Sequence, residues 1–232
     1  MDDTRNIPRI ANLLADPARV SILWTLIDGT TRPAGELAFA ANVSAQSASA
    51  HLAKLVEGGL LVSEPQGRHR YFRIANPEAA HLIESLASFG AAIHPRKPPP
   101  PALVRAMPAQ FLHARTCYDH LAGEMAVAVL NAMLKNGWLI ADEHEFQATP
   151  SGLKKFAALG IDVTAANTGR RSFARGCVDL TQRRTHLSGA LGASLLDFYV
   201  REGWIVRAAR SRVVSITPKG QQGFKRTLGI TL

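Results

Sequence analysis

The C-terminal half of the chain repeats itself, and that repetition limits the folds open to it. His120-Leu121-Ala122-Gly123 recurs as His186-Leu187-Ser188-Gly189, and Asn136-Gly137-Trp138-Leu139 as Glu202-Gly203-Trp204-Ile205. Thr149-Pro150-Ser151-Gly152 recurs as Thr217-Pro218-Lys219-Gly220, and Leu159-Gly160-Ile161 as Leu228-Gly229-Ile230. Each copy reads as helix, glycine stop, strand, turn, strand and a proline-led helix. Glycine after an apolar helix is a C-cap signal, and Thr-Pro is an N-cap followed by proline at the first helical position. The same order stands nearer the N-terminus: His51-Leu52, then Gly58-Gly59-Leu60, a turn at Gly67, and Asn76-Pro77. One small helix–hairpin–helix plan used three times is the expected architecture.

A proline run divides the chain. His94-Pro95-Arg96-Lys97 leads into Pro98-Pro99-Pro100-Pro101, with Pro108 beyond. Successive prolines donate no backbone hydrogen bonds and favour an extended, semi-rigid spacer. Two domains are expected, residues 1–93 and 109–232, joined by a linker over 94–108. The 232 residues are 47% hydrophobic and 19% charged, enough apolar content for a buried core. No apolar run is long enough to span a membrane, and the start, Met1-Asp2-Asp3-Thr4-Arg5, is unlike a secretory signal. We expect a cytoplasmic protein. In that compartment two cysteines point to thiol chemistry rather than a structural disulfide.

The net charge of +9 fits a nucleic-acid partner, but residues 1–94 hold 8 basic and 9 acidic residues, so local placement must carry the argument. Asp16-Pro17 opens a helix with Val20, Leu23, Trp24 and Ile27 on its apolar side, stopped at Gly29. A short helix follows over about 33–41, and Asn42-Val43-Ser44 turns into a third. Ser44 caps that third helix, 45–57, on which Ala48, Leu52, Leu55 and Val56 form the buried stripe. Gln46, Ser47, Ser49, Ala50, His51 and Lys54 fall on the other positions. Short or hydrogen-bonding side chains there suit insertion into a major groove, with Gln46 able to read adenine. His51 has an equal alternative as a packing or capping residue. Two strands, 60–62 and 71–74, flank Gln66-Gly67-Arg68-His69-Arg70. A glycine turn carrying Arg68, His69 and Arg70 suits a wing that reaches phosphates; its other reading is a solvated hairpin tip. The fold class is therefore α+β, mainly helical: a winged helix-turn-helix N-terminal domain with a duplicated winged-helix-like C-terminal domain.

At these residues the chain resembles the ArsR/SmtB family of winged-helix repressors. The matching stretches are 14–23, 35–38, 43–55, 58–62 and 67–74. The resemblance implies a homodimer on a palindromic operator in double-stranded DNA, repressing until a ligand, often a metal or metalloid, binds. The chain departs from the family's metal sites. Ala38, Phe39 and Ala40 stand where some members carry cysteines. His81 and Glu84 lack the partner pair, since Ala75 and Pro77 stand in its place, and a solvated face is expected for them.

The second domain offers a different donor set. Arg115-Thr116-Cys117-Tyr118-Asp119 recurs as Arg175-Gly176-Cys177-Val178-Asp179, each just before the His-Leu-x-Gly segment of its repeat. If the repeats pack about a pseudo-twofold, the two thiols approach each other. Cys117 and His120, at i and i+3, are expected to share a helical face, with His186 as the counterpart of His120. These four residues are the candidate effector site, and a soft metal or metalloid ion held by thiolates is the candidate ligand. Arg115 and Arg175 would favour the thiolate. Buried structural cysteines, a thiol oxidant, and an organic anion drawn to Arg170-Arg171 or Arg183-Arg184 remain alternatives. No enzyme is expected: the chain has no phosphate-binding glycine loop, nucleophile elbow or HExxH motif. Asp142 and Glu143 read as a solvated hairpin tip.

Overall fold

Every helix cap read from the sequence is closed in the structure, a computed structural model that describes residues 3–67, 69–93, 107–143, 145–163 and 172–231. The side chains of Asp16, Ser44, Asn76, Thr149 and Thr217 each accept the amide three residues on, at 2.8–3.2 Å. Each bond satisfies one of the amides that a helix start leaves without an internal partner. The chain divides into two compact units, Met1–Leu86 and Ala87–Leu232. Of the expected linker, residues 94–106 lie outside the described residues. Among the described residues no helix is long and apolar enough to cross a membrane.

The first unit begins with a 3-10 turn, Asp3–Asn6, followed by α1 (Ile7–Leu14) and α2 (Pro17–Thr25). Then come β1 (Arg32–Pro33), α3 (Ala34–Ala40), α4 (Ala45–Glu57), β2 (Leu61–Gln66), β3 (His69–Ile74) and α5 (Pro77–Ile93), the last running across the division. The strands form an antiparallel sheet in the order β1-β3-β2. β1 was not anticipated. It is two residues long and ends on a proline, which a sheet accepts at its edge. Ile22, Leu23, Leu37, Leu52, Leu55 and Phe72 are buried. Arg19 ties α1 to α2: its Nε and Nη2 donate to Leu13 O (2.7 Å) and Asn12 O (2.8 Å). A cation there satisfies carbonyls at the end of α1 that the helix itself leaves open.

The second unit opens with α6 (Ala109–His113) and then runs twice through one sequence of elements. The first pass is β4 (Arg115–Cys117), β5 (His120–Ala122), α7 (Glu124–Lys135), β6 (Leu139–Asp142), β7 (Glu145–Ala148) and α8 (Pro150–Ala158). The second is β8 (Arg175–Val178), β9 (Thr185–Ser188), α9 (Gly189–Arg201), β10 (Ile205–Arg207), β11 (Val214–Ile216) and α10 (Pro218–Leu228). The repeat is thus real, with one correction. His120-Leu121-Ala122 and His186-Leu187-Ser188 are strand, not helix; the helices start at Glu124 and Gly189. The break falls where Gly123 and Gly189 adopt φ of +91° and +82°, a region that disfavours side chains.

The repeats exchange hairpins. β8–β9 of the second continues the sheet of the first, giving the order β6-β7-β8-β9. On the other side β4–β5 of the first lies beside β11 of the second. The correspondence extends to single bonds: Phe146 N–H donates to Ala174 O at 2.9 Å, and Val214 N–H to Ala114 O at 3.0 Å. Likewise Glu145 pairs with Arg175, and Val213 with Arg115. One apolar core, including Trp138, Phe156, Trp204 and Phe224, runs through both repeats. Each tryptophan meets its phenylalanine edge to face, at 5.5 and 5.0 Å.

Candidate DNA interface and thiol–imidazole centre

Helix α4 stands on its Ser44 cap and buries Ala48, Leu52 and Leu55. The periodicity that hides those three exposes Gln46, Ser47, Ser49, Ala50 and Lys54, with Ser44 exposed at the cap. Ser49 Oγ is engaged within the helix, donating to Ala45 O at 2.9 Å. His51 is half-buried, its Nδ1 3.8 Å from Asp16 Oδ1 at the start of α2, a placement that matches its packing alternative. The Arg19 amide that Asp16 accepts from holds that carboxyl below its usual value, with the charges of Arg19 and His51 adding to the effect. The β2–β3 hairpin pairs Gln66 with His69 and turns at Gly67, where φ is +61°. His69 and Arg70 are exposed; Arg68 lies outside the described residues. On α5, Glu84 is buried at 5% exposure and His81 half-buried, so the solvated face expected for that pair is not what forms.

In the second unit four donors converge. Cys117 and His120 are cross-strand partners on β4–β5, and Cys177 and His186 are cross-strand partners on β8–β9. Directly paired residues project from the same face of a hairpin, their Cβ atoms about 5 Å apart. This replaces the shared helical face expected for Cys117 and His120. β5 and β9 are neighbours, and the ligating atoms of Cys117, His120, Cys177 and His186 all lie within 4.8 Å of one another. The Nε2 atoms of His120 and His186 are 3.1 Å apart. Cys117, His120 and His186 are buried and Cys177 half-buried, so the group opens outward on the Cys177 side. Neither cysteine is in a disulfide.

A ring of charges holds this group. Asp119 Oδ1 lies 3.3 Å from His120 Nδ1, and Asp179 Oδ2 lies 3.5 Å from His186 Nδ1. Burial opposes a charge on His120, but the hydrogen bonds to Asp119 and Cys117 outweigh it and hold the imidazole above its usual pKa. Asp179 is fully enclosed. Its Oδ1 accepts from Arg115 Nη2 (2.9 Å), the Thr181 amide (2.8 Å) and hydroxyl (2.9 Å), and the Gln182 amide (2.9 Å). Its Oδ2 accepts from Gly123 N–H at 2.7 Å. Burial alone would raise its pKa, but Arg115 and these amides hold it well below the carboxylate range. Arg115 therefore serves Asp179 across the repeats, where the sequence suggested service to a thiolate. Arg175, its counterpart, is exposed.

Residues 14–64 match a helix-turn-helix domain family. Across 228 residues, 98% of this chain and 99% of the relative, the sequence is 41% identical to the "uncharacterized HTH-type transcriptional regulator YdfF" of Bacillus subtilis strain 168. The chain belongs to the family of helix-turn-helix transcriptional regulators. The regulator is also 32% identical over 92 residues to the HTH-type transcriptional regulator CmtR of Mycobacterium tuberculosis H37Rv, covering 40% of this chain and 77% of the relative. A solved homodimeric winged helix-turn-helix DNA-binding domain of Mycobacterium bovis, titled a possible ArsR-family regulator, aligns with 29% identity and a TM-score of 0.36. That alignment covers 41% of this chain and 91% of that one. The similarity to the B. subtilis protein spans both units, so the regulator's exchanged repeats fall within the shared length.

Two residues of the regulator's centre were not picked out from sequence. Asp119 and Asp179 back the two imidazoles, and their signal was the aspartate two places after each cysteine. Gly192 is a third. A Cβ there would stand 2.8 Å from Leu187 O and 3.2 Å from the Cβ of His120, so its missing side chain lets α9 close over the centre.

Proposed function

We propose that the regulator is a homodimeric repressor. It binds a palindromic operator in double-stranded DNA through α4 and the β2–β3 wing, and it leaves when an effector takes the Cys117, His120, Cys177 and His186 centre. It works in the cytoplasm, on the nucleoid when bound. The observation that carries this reading is the convergence of two thiols and two imidazoles from both repeats within 4.8 Å, in a chain whose helix-turn-helix leaves Gln46, Ser47 and Lys54 exposed. What supports self-association is the apolar exposure of the first unit: α1 buries none of its residues, and Ile7 and Leu86 are 64% and 49% exposed.

Base reading and backbone contact separate in one binding experiment. Gln46→Ala with Ser47→Ala is expected to cost about 1–3 kcal/mol on the operator and little on random DNA. Arg68→Ala with Arg70→Ala is expected to weaken both DNAs alike and to lower the log–log salt slope by about 0.9 for each lost phosphate contact. Equal losses on both DNAs in the first variant would take α4 out of base reading.

Release is tested with thiols removed. An effector that weakens the operator complex must bind the DNA-free form more tightly by the same factor, and tenfold release needs about 1.4 kcal/mol of coupling. Metals, arsenite and thiol oxidants that free the operator from the wild type are expected to leave it bound to the Cys117→Ser/Cys177→Ser variant. Equal potency on both proteins would place the effector elsewhere.

A further inference from the structure

The centre has a chemistry more specific than thiolate binding. Each hairpin contributes one sulfur and one nitrogen as a cross-strand pair. Both Nδ1 atoms face carboxylates, Asp119 and Asp179. A carboxylate at Nδ1 orients an imidazole so that its Nε2 faces a ligand. Asp119 is hydrogen-bonded to His120 in this way, and Asp179 stands 3.5 Å from His186 Nδ1 without a hydrogen bond. The two Nε2 atoms converge to 3.1 Å inside a buried site, beside both sulfurs. A cation between the rings would take both Nε2 atoms and leave both carboxylates in place.

The dimensions agree. With bonds of about 2.0–2.1 Å to nitrogen and 2.3 Å to sulfur, a tetrahedral centre separates its two nitrogens by about 3.3 Å and its two sulfurs by about 3.8 Å. The observed nitrogen pair is at 3.1 Å, and all four donor atoms fall within 4.8 Å. Two thiolates and two neutral imidazoles balance the charge of a divalent ion. That mixed set suits a borderline ion of the zinc type. A metalloid bound through sulfur alone would leave both imidazoles unused.

We propose that Cys117, His120, Cys177 and His186 hold one zinc-like divalent ion in a closed tetrahedral site, with Asp119 and Asp179 as positioning residues. The ion joins the two repeats, since each supplies half of its ligands, and it enters from the half-buried Cys177 side. Its regulatory consequence rests on the release mechanism proposed above; its presence does not.

The test of the ion uses the full chain and no DNA; operator affinity of the zinc-loaded and zinc-free chain is measured separately. Reduced, chelator-treated protein is titrated with Co(II), then with Zn(II). The expected result is one Co(II) per chain, with the intense visible bands of a tetrahedral thiolate complex, displaced by Zn(II). X-ray absorption on the zinc-loaded wild type is expected to show two sulfurs at about 2.3 Å and two nitrogens at about 2.0 Å, a measurement that depends on no variant. Cys177→Ser, which leaves Cys117 as the one sulfur ligand, is expected to weaken the thiolate bands by about half, Cys117→Ser/Cys177→Ser to abolish them, and Asp119→Asn to weaken Co(II) binding about 10–100-fold. A pale octahedral spectrum, an all-sulfur or all-oxygen shell, or full thiolate bands in Cys177→Ser would each overturn the proposal. Tetrahedral binding with no effect on operator affinity would uphold the ion and sink the release mechanism instead.

Discussion

Arg115→Met is expected to destabilise the second unit by about 3 kcal/mol, and Asp179→Ala by more. Both side chains are about 1% exposed, and their 2.9 Å ion pair crosses from one repeat to the other. A buried pair adds little net stability when both ions are counted against water, but removing one partner strands the other and costs about 3–5 kcal/mol. The two variants should differ in degree. Without Arg115, Asp179 keeps the amides of Gly123, Thr181 and Gln182 and the Thr181 hydroxyl. Without Asp179, the guanidinium loses its counter-charge and those donors lose their acceptor together. Hydrogen exchange of amides in α7 and α9 reads this without assuming that a two-unit chain melts in one step. A loss of 3 kcal/mol corresponds to about two orders of magnitude in protection. A change below tenfold in Arg115→Met would mean that the amides alone satisfy Asp179.

Gly220→Ala is expected to be as damaging, for a steric reason. The Thr217 hydroxyl donates to Gly203 O (2.7 Å) and accepts from Gly220 N–H (2.9 Å), which draws the start of α10 onto the backbone of Trp204. A Cβ at Gly220 would stand 2.0 Å from Trp204 O, and one at Gly152 would stand 2.0 Å from Trp138 O. Backbone cannot rotate aside as a side chain can, so the helix must lift off the Trp204–Phe224 contact. Overpacking typically costs 1–3 kcal/mol, and a clash with fixed backbone belongs at about 3. Gly35→Ala is the control: nothing lies within 4 Å of the added methyl, φ there is ordinary, and the effect should be neutral or stabilising by up to about 1 kcal/mol. Thermal unfolding of the three proteins decides it. Equal melting temperatures for Gly220→Ala and Gly35→Ala would show that α10 can shift freely.

What could be read from sequence was whatever local chemistry dictates. The caps at Asp16, Ser44, Asn76, Thr149 and Thr217 depend on residues three apart, and all five close as expected. The exposed face of α4 follows from the spacing of Ala48, Leu52 and Leu55. The pairing of Cys117 with Cys177 was legible because duplication places them alike. The strand state of His120-Leu121-Ala122 was not. Three residues are too few to show alternation, and their apolar character runs straight on into α7 past a single glycine. The partner of Arg115 was hidden for another reason: Asp179 is 64 residues away in the chain, and only the exchange of hairpins brings it near.

That exchange has a consequence for assembly. Neither repeat can complete its own sheet, and neither carries more than half of the centre. Two separate copies of such a repeat would have to find each other in solution, and at low abundance they would spend much of their time apart. Tethered in one polypeptide, the second half meets the first at an effective concentration in the millimolar range, set by the connecting segment rather than by expression. The four donor side chains then stay together at any copy number.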